Sequence, residues 1–216
     1  MSIRATDGAA LVVTLDSMGK RAFDLTASAM GLLILSPLIL MVALVVRFSS
    51  PGPVIFRHRR VGLHGAYFHV LKFRTMVDGA EALGRETGGT QDPRITRIGG
   101  FLRRTKMDEL PQLVNVLLGE MSLVGPRPEI PFYADRYRGE DRIVLSVPPG
   151  ITDPCSLEMS DLDAIMQSRG TTSPAEFYER KVQPRKLRLQ KDYIANRTFA
   201  GDISILVRTV LRIARR

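Results

Sequence analysis

An apolar stretch near the N-terminus, residues 22–46, constrains this chain more than any other feature. Asp24 carries its only charge. A bilayer crossing needs roughly 20 apolar residues, so the stretch is long enough to enter a membrane. Ser36 and Pro37 lie at its middle, where a proline removes a helix hydrogen bond and clashes with the preceding turn. The stretch therefore predicts a membrane helix with a kink or turn at Ser36–Pro37.

The flanks of this stretch are positively charged on both sides. Lys20 and Arg21 precede it, and Arg47 and Arg57 follow it. Positive flanks favour the cytoplasmic side of a membrane, which places both ends on the same face. A helix that enters, breaks and leaves by that face satisfies both observations. A straight membrane span and a buried core helix remain the alternatives.

The overall charge indicates an anionic partner. The chain has 216 residues, a formal net charge of +9 and a pI of about 10.2. Phosphorylated small molecules, anionic lipid headgroups and nucleic acid would all suit it. The chain has no tryptophan and only 6% aromatic residues, which is a poor supply for stacking on bases. Nucleic-acid binding is therefore suggested by charge alone and leaves the apolar stretch unexplained, so we expect no nucleic-acid partner.

A β-hairpin is predicted after the apolar stretch. Residues 54–56 and 67–76 are typical of strands, and glycines lie between them. Lys72 and Arg74 share one face of the second strand by its two-residue period. They could bind one anion together, although two solvated cations on a hairpin would give the same pattern.

The pair Asp108–Glu109 is the strongest candidate for chemistry. Arg103 and Arg104 precede it, and an amphipathic helix follows. Proline at position 111 is tolerable only near a helix start, which predicts that the helix begins near Asp108. The helix dipole and the arginines should favour the ionised form of Asp108. Such a carboxylate can be a nucleophile or a ligand for a hard metal ion, or it can simply cap the helix.

Two later segments also carry positive charge. Arg127 lies between Pro126 and Pro128, which stiffen its backbone and could position the guanidinium for bidentate phosphate contact. An ordinary tight turn with a surface arginine is the alternative. Residues 202–216 place arginines opposite an apolar face, which predicts either an interfacial helix or a terminal helix packed on the core.

These segments together resemble the monotopic phosphoglycosyl transferases, the bacterial sugar transferases that act on polyprenyl phosphates. The resemblance runs from Lys20 to about Ile151. It rests on KRAFD at 20–24, the Ser36–Pro37 pair, KFRTM at 72–76, LRRT at 102–105, DELPQ at 108–112 and VGPRP at 124–128.

The resemblance implies an enzyme that transfers a sugar 1-phosphate from a UDP-sugar to a polyprenyl phosphate, releasing UMP by a ping-pong mechanism. Asp108 matches the nucleophile that becomes covalently attached to the sugar phosphate, and Mg2+ is expected at Asp108 and Glu109. Glu109 matches a residue that holds the metal or orients the substrate. The other matching positions hold substrate phosphates (Lys72, Arg103, Arg127) or support the site (Arg74, Arg104, Pro126, Pro128).

The expected fold is a helix-rich α/β monotopic membrane protein with a broken re-entrant N-terminal helix, a short β-hairpin and amphipathic interfacial helices. The expected divisions are an extension (1–17), the re-entrant helix (18–48) and a catalytic domain on the cytosolic face (49–216). The location implied is the cytoplasmic face of a bacterial inner membrane, with anionic lipids as further partners and a homodimer left open. Residues 149–157 depart from the family pattern, which leaves the donor sugar undetermined. A non-catalytic membrane scaffold is the remaining alternative.

Overall fold

The chain folds into a helix-rich α/β structure whose strands are short. The computed structural model describes residues 5–83, 92–159 and 173–215, together with 165, 166, 168 and 170. The α-helices are α1 (Ala5–Ser49), α2 (Arg97–Thr105), α3 (Gln112–Leu118), α4 (Pro131–Ala134), α5 (Pro154–Glu158), α6 (Pro174–Phe177), α7 (Gln183–Asn196) and α8 (Phe199–Ala214). The strands are β1 (Ile55–Val61), β2 (Tyr67–Phe73), β3 (Ser122–Val124) and β4 (Gly150–Thr152). Short 3-10 turns cover Leu63–Gly65, Ala80–Leu83, Met107–Glu109 and Gly139–Leu145, and a π-helix covers Tyr178–Val182.

Helix α1 passes through Ser36 and Pro37 as one helix, where the sequence predicted a kink or a turn. Pro37 has no N–H to donate to the carbonyl of Leu33, four residues earlier. The Ser36 hydroxyl donates to that same carbonyl at 2.7 Å. A side-chain donor thus replaces the missing backbone donor, which is how prolines are accommodated in apolar helices. The helix can therefore continue past the proline.

From Met18 to Ser49, one face of α1 packs against the rest of the chain, and most of the other face is exposed apolar surface. Asp24 and Val42 are 3% and 4% exposed, whereas Leu33 between them is 76% exposed. Within the described residues, one helix is long and apolar enough to cross a membrane, at Met18–Ser49. Residues 5–17, predicted as a separate extension, are the first part of the same helix.

Strands β1 and β2 form the predicted antiparallel hairpin. Ile55 pairs with Phe73, and Val61 pairs with Tyr67. The first strand is longer than predicted, and the second ends at Phe73 rather than at residue 76. The hairpin packs on α3, so its inner face helps to build the main core.

Arg74 joins the hairpin to the C-terminal end of α1. Its guanidinium donates to the carbonyl oxygens of Val46 at 3.2 Å, Ser50 at 2.6 Å, and Pro53. Carbonyls at a helix C-terminus lack backbone donors and attract cations. The prediction that Arg74 binds an anion together with Lys72 is therefore wrong, because β2 ends before Arg74 and its side chain is buried against α1.

Strands β3 and β4 form a parallel pair that the sequence did not reveal. Ser122 faces Gly150, and Val124 faces Thr152. A Cβ on Gly150 would lie 2.1 Å from the backbone nitrogen of Gly125, so only glycine permits this approach. Strands of three residues carry too little hydrophobic pattern to be predicted.

Helix α8 packs on the first part of α1 and exposes an apolar outer face. The Phe199 ring meets the Phe23 ring edge-on at 5.3 Å between centroids. Ile205 is buried at 9% exposure, whereas Val207 and Val210 are 52% and 63% exposed. The alternative of a helix packed on the core is confirmed for one face, and the interfacial helix stays a prediction for the exposed apolar face.

Candidate active site

Asp108 and Glu109 lie in a 3-10 turn ahead of α3, which begins at Gln112, whereas the sequence predicted a helix start near Asp108. Helix α2 ends at Lys106, whose backbone is left-handed (φ 59°, ψ 13°). Pro111 stands immediately before α3 with a helical backbone (φ −61°, ψ −17°), and because it has no N–H it cannot donate to the preceding turn. The tight turn between the two helices buries both carboxyl groups, at 6% and 9% exposure.

Glu109 receives the positive charges of the site. The Lys72 ammonium donates to its Oε1 at 2.9 Å, and the Arg127 guanidinium donates to both carboxylate oxygens, at 3.3 Å to Oε2. Burial alone would raise the pKa of Glu109, but Arg127 and Lys72 outweigh it and hold that pKa well below its ordinary value. Glu109 is therefore an ionised carboxylate that holds two cations in place.

Asp108, in contrast to Glu109, is not paired with a cation among the described residues. Its Oδ1 is a buried atom that has no hydrogen-bond partner among the described residues. Burial raises the pKa of the Asp108 carboxyl, Lys72 opposes this, and the charge of Glu109 adds to it, so that the pKa lies above its ordinary value. The local cations do favour the ionised form, as predicted, but burial of the carboxyl group outweighs them, so the predicted net effect on Asp108 is wrong.

Arg103 is held beside the hairpin. Its Nε donates to the Thr75 hydroxyl at 2.8 Å, and its charge lowers the pKa of Asp108, although not enough to reverse the direction. Arg104, the next residue, is exposed, and no hydrogen bond or ion pair among the described residues joins it to the carboxyl pair. Of the two adjacent arginines, the structure brings only Arg103 to the site.

Two hydrogen bonds that the sequence did not predict fix the backbone of Arg127. Its N–H donates to Asp153 Oδ2 at 3.2 Å, and its carbonyl accepts from Gln190 Nε2 at 3.3 Å. Asp153 also caps α5 by accepting from the Ser156 N–H at 2.6 Å. The sequence signal for that cap, an aspartate directly before Pro154, was available; the contact with Gln190 joins distant segments and had no local signal.

The prolines beside Arg127 belong to the same support. The carbonyl of Pro126 accepts from the Gly150 N–H at 3.0 Å, and the carbonyl of Pro128 accepts from Arg60 at 3.3 Å. Their position agrees with the predicted supporting role, and the turn places Arg127 against Glu109.

A buried ion-pair network follows this turn. Glu129 accepts from the Lys186 ammonium at 2.6 Å and from the Tyr178 hydroxyl at 2.5 Å. Burial would raise the pKa of Glu129, but Lys186 and Arg60 lower it to about 2. Removal of one partner from a buried pair costs about 3–5 kcal/mol, so this network anchors the turn to α7. The sequence analysis did not predict this ion-pair network.

The two carboxyl groups fit a hard divalent cation only with help from a substrate. Within the described residues, no group of three or more His, Cys, Asp or Glu side chains could hold a metal ion. Mg2+ is often held by one or two carboxylates plus substrate phosphates, however. The buried oxygen Asp108 Oδ1 supplies such a ligand, and a cation beside it would favour the ionised carboxylate. The residues present therefore fit Mg2+ together with a diphosphate.

Another buried donor lies one helical turn beyond Asp108. Gln112 is 2% exposed, and its Nε2 has no hydrogen-bond partner. Asp108 and Gln112 thus present a buried oxygen and a buried N–H group that have no hydrogen-bond partner among the described residues. Such groups are uncommon in protein interiors. A ligand with phosphate oxygens could satisfy the donor.

Comparison with known protein families gives one match over most of the chain. Residues 15–216 match the model of a family described as bacterial sugar transferase. This match covers both the apolar helix and the carboxyl pair.

Individual relatives agree with the family match. The chain is 55% identical over 118 residues to an undecaprenyl-phosphate glucose phosphotransferase of Komagataeibacter xylinus, covering 54% of this chain and 22% of the relative. It is 38% identical over 205 residues to a UDP-glucose:undecaprenyl-phosphate glucose-1-phosphate transferase of Caulobacter vibrioides, covering 88% and 68%. It is 36% identical over 214 residues to the exopolysaccharide production protein PSS of Rhizobium leguminosarum bv. phaseoli, covering 91% and 96%.

Proposed function

Because this chain belongs to the bacterial sugar transferase family, we propose that it transfers a sugar 1-phosphate from a UDP-sugar to undecaprenyl phosphate and releases UMP. The observation that carries the proposal is that the two carboxyl groups of the pair differ in their partners. Glu109 is paired with Lys72 and Arg127, while Asp108 keeps an oxygen without a partner. The names of the relatives support the substrate classes, and exopolysaccharide or glycoconjugate assembly is the process in which we place the reaction.

The proposed reaction has two displacement steps at one phosphorus atom. An oxygen of Asp108 attacks the phosphorus that bears the sugar, and the bond from that phosphorus to the oxygen of UMP breaks. UMP leaves with the electron pair, and the sugar phosphate stays on Asp108 as an acyl phosphate. An oxygen of the lipid phosphate then attacks the same phosphorus and releases the Asp108 carboxylate. Covalent catalysis of this kind divides one difficult transfer into two easier steps.

The cations of the site would offset the repulsion between these anions. Lys72 and Arg127 are held by Glu109 at positions where they can stabilise charge on the incoming diphosphate, and Arg103 stands beside Asp108. We propose that Asp108 and Glu109 hold Mg2+, which when bound neutralises phosphate charge and polarises the phosphoryl oxygens. Glu109 would thus act by positioning rather than by direct attack.

Activity would be tested directly with purified protein, undecaprenyl phosphate, Mg2+ and a panel of UDP-sugars. We expect UMP release and a lipid-linked sugar diphosphate with at least one UDP-sugar, and no product when Mg2+ is chelated. A reaction without lipid and a reaction with undecaprenol in place of its phosphate are the controls. If no UDP-sugar gives UMP, the scaffold alternative would replace the proposed function.

We further propose that the protein is monotopic, with α1 entering and leaving the cytoplasmic face of the inner membrane. Near the start of the apolar stretch of α1, Asp24 accepts from the Ser122 hydroxyl at 2.7 Å, and near the end of that stretch the Val46 carbonyl accepts from Arg74 at 3.2 Å. The two contacts are separated by about 33 Å of helix, close to the thickness of a bilayer core. Both contacts are made with the same folded domain. Because that domain lies on one side of the membrane, the contacts support placing both ends of the apolar stretch on that side.

A topology experiment tests this placement. We expect epitope tags at the N-terminus and at the C-terminus to be degraded by protease in inverted membrane vesicles and protected in spheroplasts. A single-span protein with a periplasmic tag is the control for vesicle orientation. Pro37→Leu should shift the helix toward a straight span by restoring the backbone donor, so that its two tags report opposite sides more often. Opposite sides for the unaltered protein would contradict the re-entrant helix.

A further inference from the structure

Gln112 carries a buried amide to which the reaction proposed above gives no role. The residue is 2% exposed, and its Nε2 makes no hydrogen bond within the part of the chain that the structure describes. Buried donors are nearly always paired, because an unpaired donor loses its hydration without any return. A donor that stays unpaired beside a reactive carboxyl group is therefore a candidate for contact with the substrate.

Gln112 lies on the same side of the chain as Asp108. The backbone stays right-handed and helical from the turn at Met107–Glu109 through Leu110 and Pro111 into α3. Residues four apart in such a backbone are neighbours on one side. The Asp108 carboxyl and the Gln112 amide are therefore adjacent groups, and each has one buried atom that no described residue satisfies.

Asn115, one turn further along α3, shows which way this side of the helix faces. Its Oδ1 accepts from the Leu71 N–H of β2 at 3.0 Å. At the other end of the same side, Glu109 accepts from Lys72, the next residue of that strand, at 2.9 Å. Gln112 lies three residues from each of them, so its amide faces β2 at the level of Lys72.

The cations of the site are more exposed than these two groups. The Lys72 and Arg127 side chains are 20% and 32% exposed, and both are bonded to Glu109. An incoming diphosphate would therefore meet the cations first. A phosphoryl group that is held there and attacked by Asp108 would bring its non-bridging oxygens to the neighbouring Gln112 amide.

We propose that Gln112 Nε2 donates a hydrogen bond to a non-bridging oxygen of the phosphoryl group that Asp108 attacks. The inference rests on the proposed function, since it adds a substrate contact to that reaction. The transferred phosphoryl group carries its charge on these oxygens, and a donor already in place stabilises that charge. A neutral amide does so without forming an ion pair with Asp108 beforehand, as another cation would.

The variant Gln112→Met separates this role from a structural one. Methionine has a similar length and volume but no N–H group, and such swaps cost little stability. Because Nε2 has no partner to lose among the described residues, Tm should stay within about 2 °C of the unaltered protein or rise. The maximal rate of UMP release without lipid should fall about a hundredfold, while the UDP-sugar concentration at half-maximal rate changes less than about twofold.

Asn115→Leu is the matched control for stability, because it removes a buried amide from the same side of the same helix. Asn115 Nδ2 donates to the His69 carbonyl at 2.8 Å and to Glu120 at 2.6 Å, and Oδ1 accepts from Leu71. These partners would be left unpaired, so the Tm of Asn115→Leu should fall by about 4 °C or more. An equal fall in Gln112→Met would make Gln112 a structural residue and overturn the proposal.

A sulfur-substituted substrate identifies the atom that Gln112 contacts. A UDP-sugar with one sulfur in a non-bridging position of the sugar-bearing phosphate has two diastereomers, and sulfur is a weak hydrogen-bond acceptor. For one diastereomer, the rate loss caused by sulfur should be about tenfold smaller in Gln112→Met than in the unaltered protein, because the contact is already absent. Equal sulfur effects in both proteins for both diastereomers would overturn the contact and assign the effect of Gln112 to the Asp108 carboxyl.

Two kinetic results would also contradict the proposal. These are an unchanged maximal rate of UMP release in Gln112→Met, or a change confined to the half-saturating concentration of UDP-sugar. If Gln112→Met does not purify as a folded protein, Gln112→Leu is measured with the same expectations, and failure of both to fold would show a structural role. Failure of the unaltered protein to release UMP from any UDP-sugar would instead contradict the proposed function itself.

Discussion

Asp108→Asn is expected to lower turnover by at least about a thousandfold, which corresponds to about 4 kcal/mol of lost transition-state stabilisation. The amide has the size and shape of the carboxyl group but lacks the nucleophilic oxygen. Burial already raises the pKa of Asp108, so a neutral side chain suits its surroundings and the variant should fold normally. The loss would then be chemical and not structural.

The measurement has two parts that separate the nucleophile from a metal ligand. Protein incubated with a UDP-sugar and no lipid should release up to about one equivalent of UMP and gain the mass of a sugar phosphate on the peptide containing Asp108. Asp108→Asn should show neither, while the exposed Asp192→Asn should behave like the unaltered protein. An adduct on Glu109 that survives in Asp108→Asn would transfer the nucleophilic role to Glu109. Normal turnover without any adduct would exclude the covalent step.

Gly99→Ala is expected to destabilise the protein by about 3 kcal/mol or more, or about 6–12 °C in Tm. A Cβ on Gly99 would lie 1.9 Å from the backbone oxygen of Thr75, where α2 crosses the residues after β2. Backbone cannot yield as a flexible side chain can, so α2 must move away. Because Thr75 also accepts from Arg103, the shift should lower activity beyond the loss of folded protein.

Gly100→Ala is the matched control for this prediction. The adjacent glycine lies on the same helix, and its added Cβ would come no closer than 3.8 Å to its neighbours. Alanine in a helix interior is favoured over glycine by about 0.5–1 kcal/mol, so this variant should have an equal or slightly higher Tm. Equal Tm values for the two variants in thermal unfolding would contradict the close approach of α2 to Thr75.

The parts of the fold that local chemistry determines were predictable from the sequence. A serine directly before a proline is a typical helix start, and the Ser173 hydroxyl, ahead of Pro174, accepts from the Glu176 N–H at 3.2 Å. The hairpin followed from strand propensity and glycine turns, although its ends did not. The pair β3–β4 and the contact of Gln190 with Arg127 could not be predicted, because they depend on segments that meet only after folding.

The charges around the carboxyl pair could also not be assigned from the sequence. The sequence places the same cations near both Asp108 and Glu109, so it cannot say which carboxylate receives them. The turn at Met107–Glu109 directs Glu109 to Lys72 and Arg127, and leaves Asp108 Oδ1 without a partner. Residue types indicated the carboxyl pair and its cations, whose catalytic roles stay predictions, whereas the distribution of charge among them required the geometry.

The contact between Arg74 and the end of α1 has a consequence for how deep the reaction can take place. Lys72 binds Glu109, and two residues later Arg74 binds the last carbonyls of the apolar helix. A chain of three residues spans at most about 10 Å, so the height of the carboxyl pair above the helix end is nearly fixed. The phosphate of a membrane lipid stays at the depth of the headgroups. If the protein lies in the membrane and reacts as proposed, its depth in the leaflet would thus decide whether Asp108 and the lipid phosphate can meet at all.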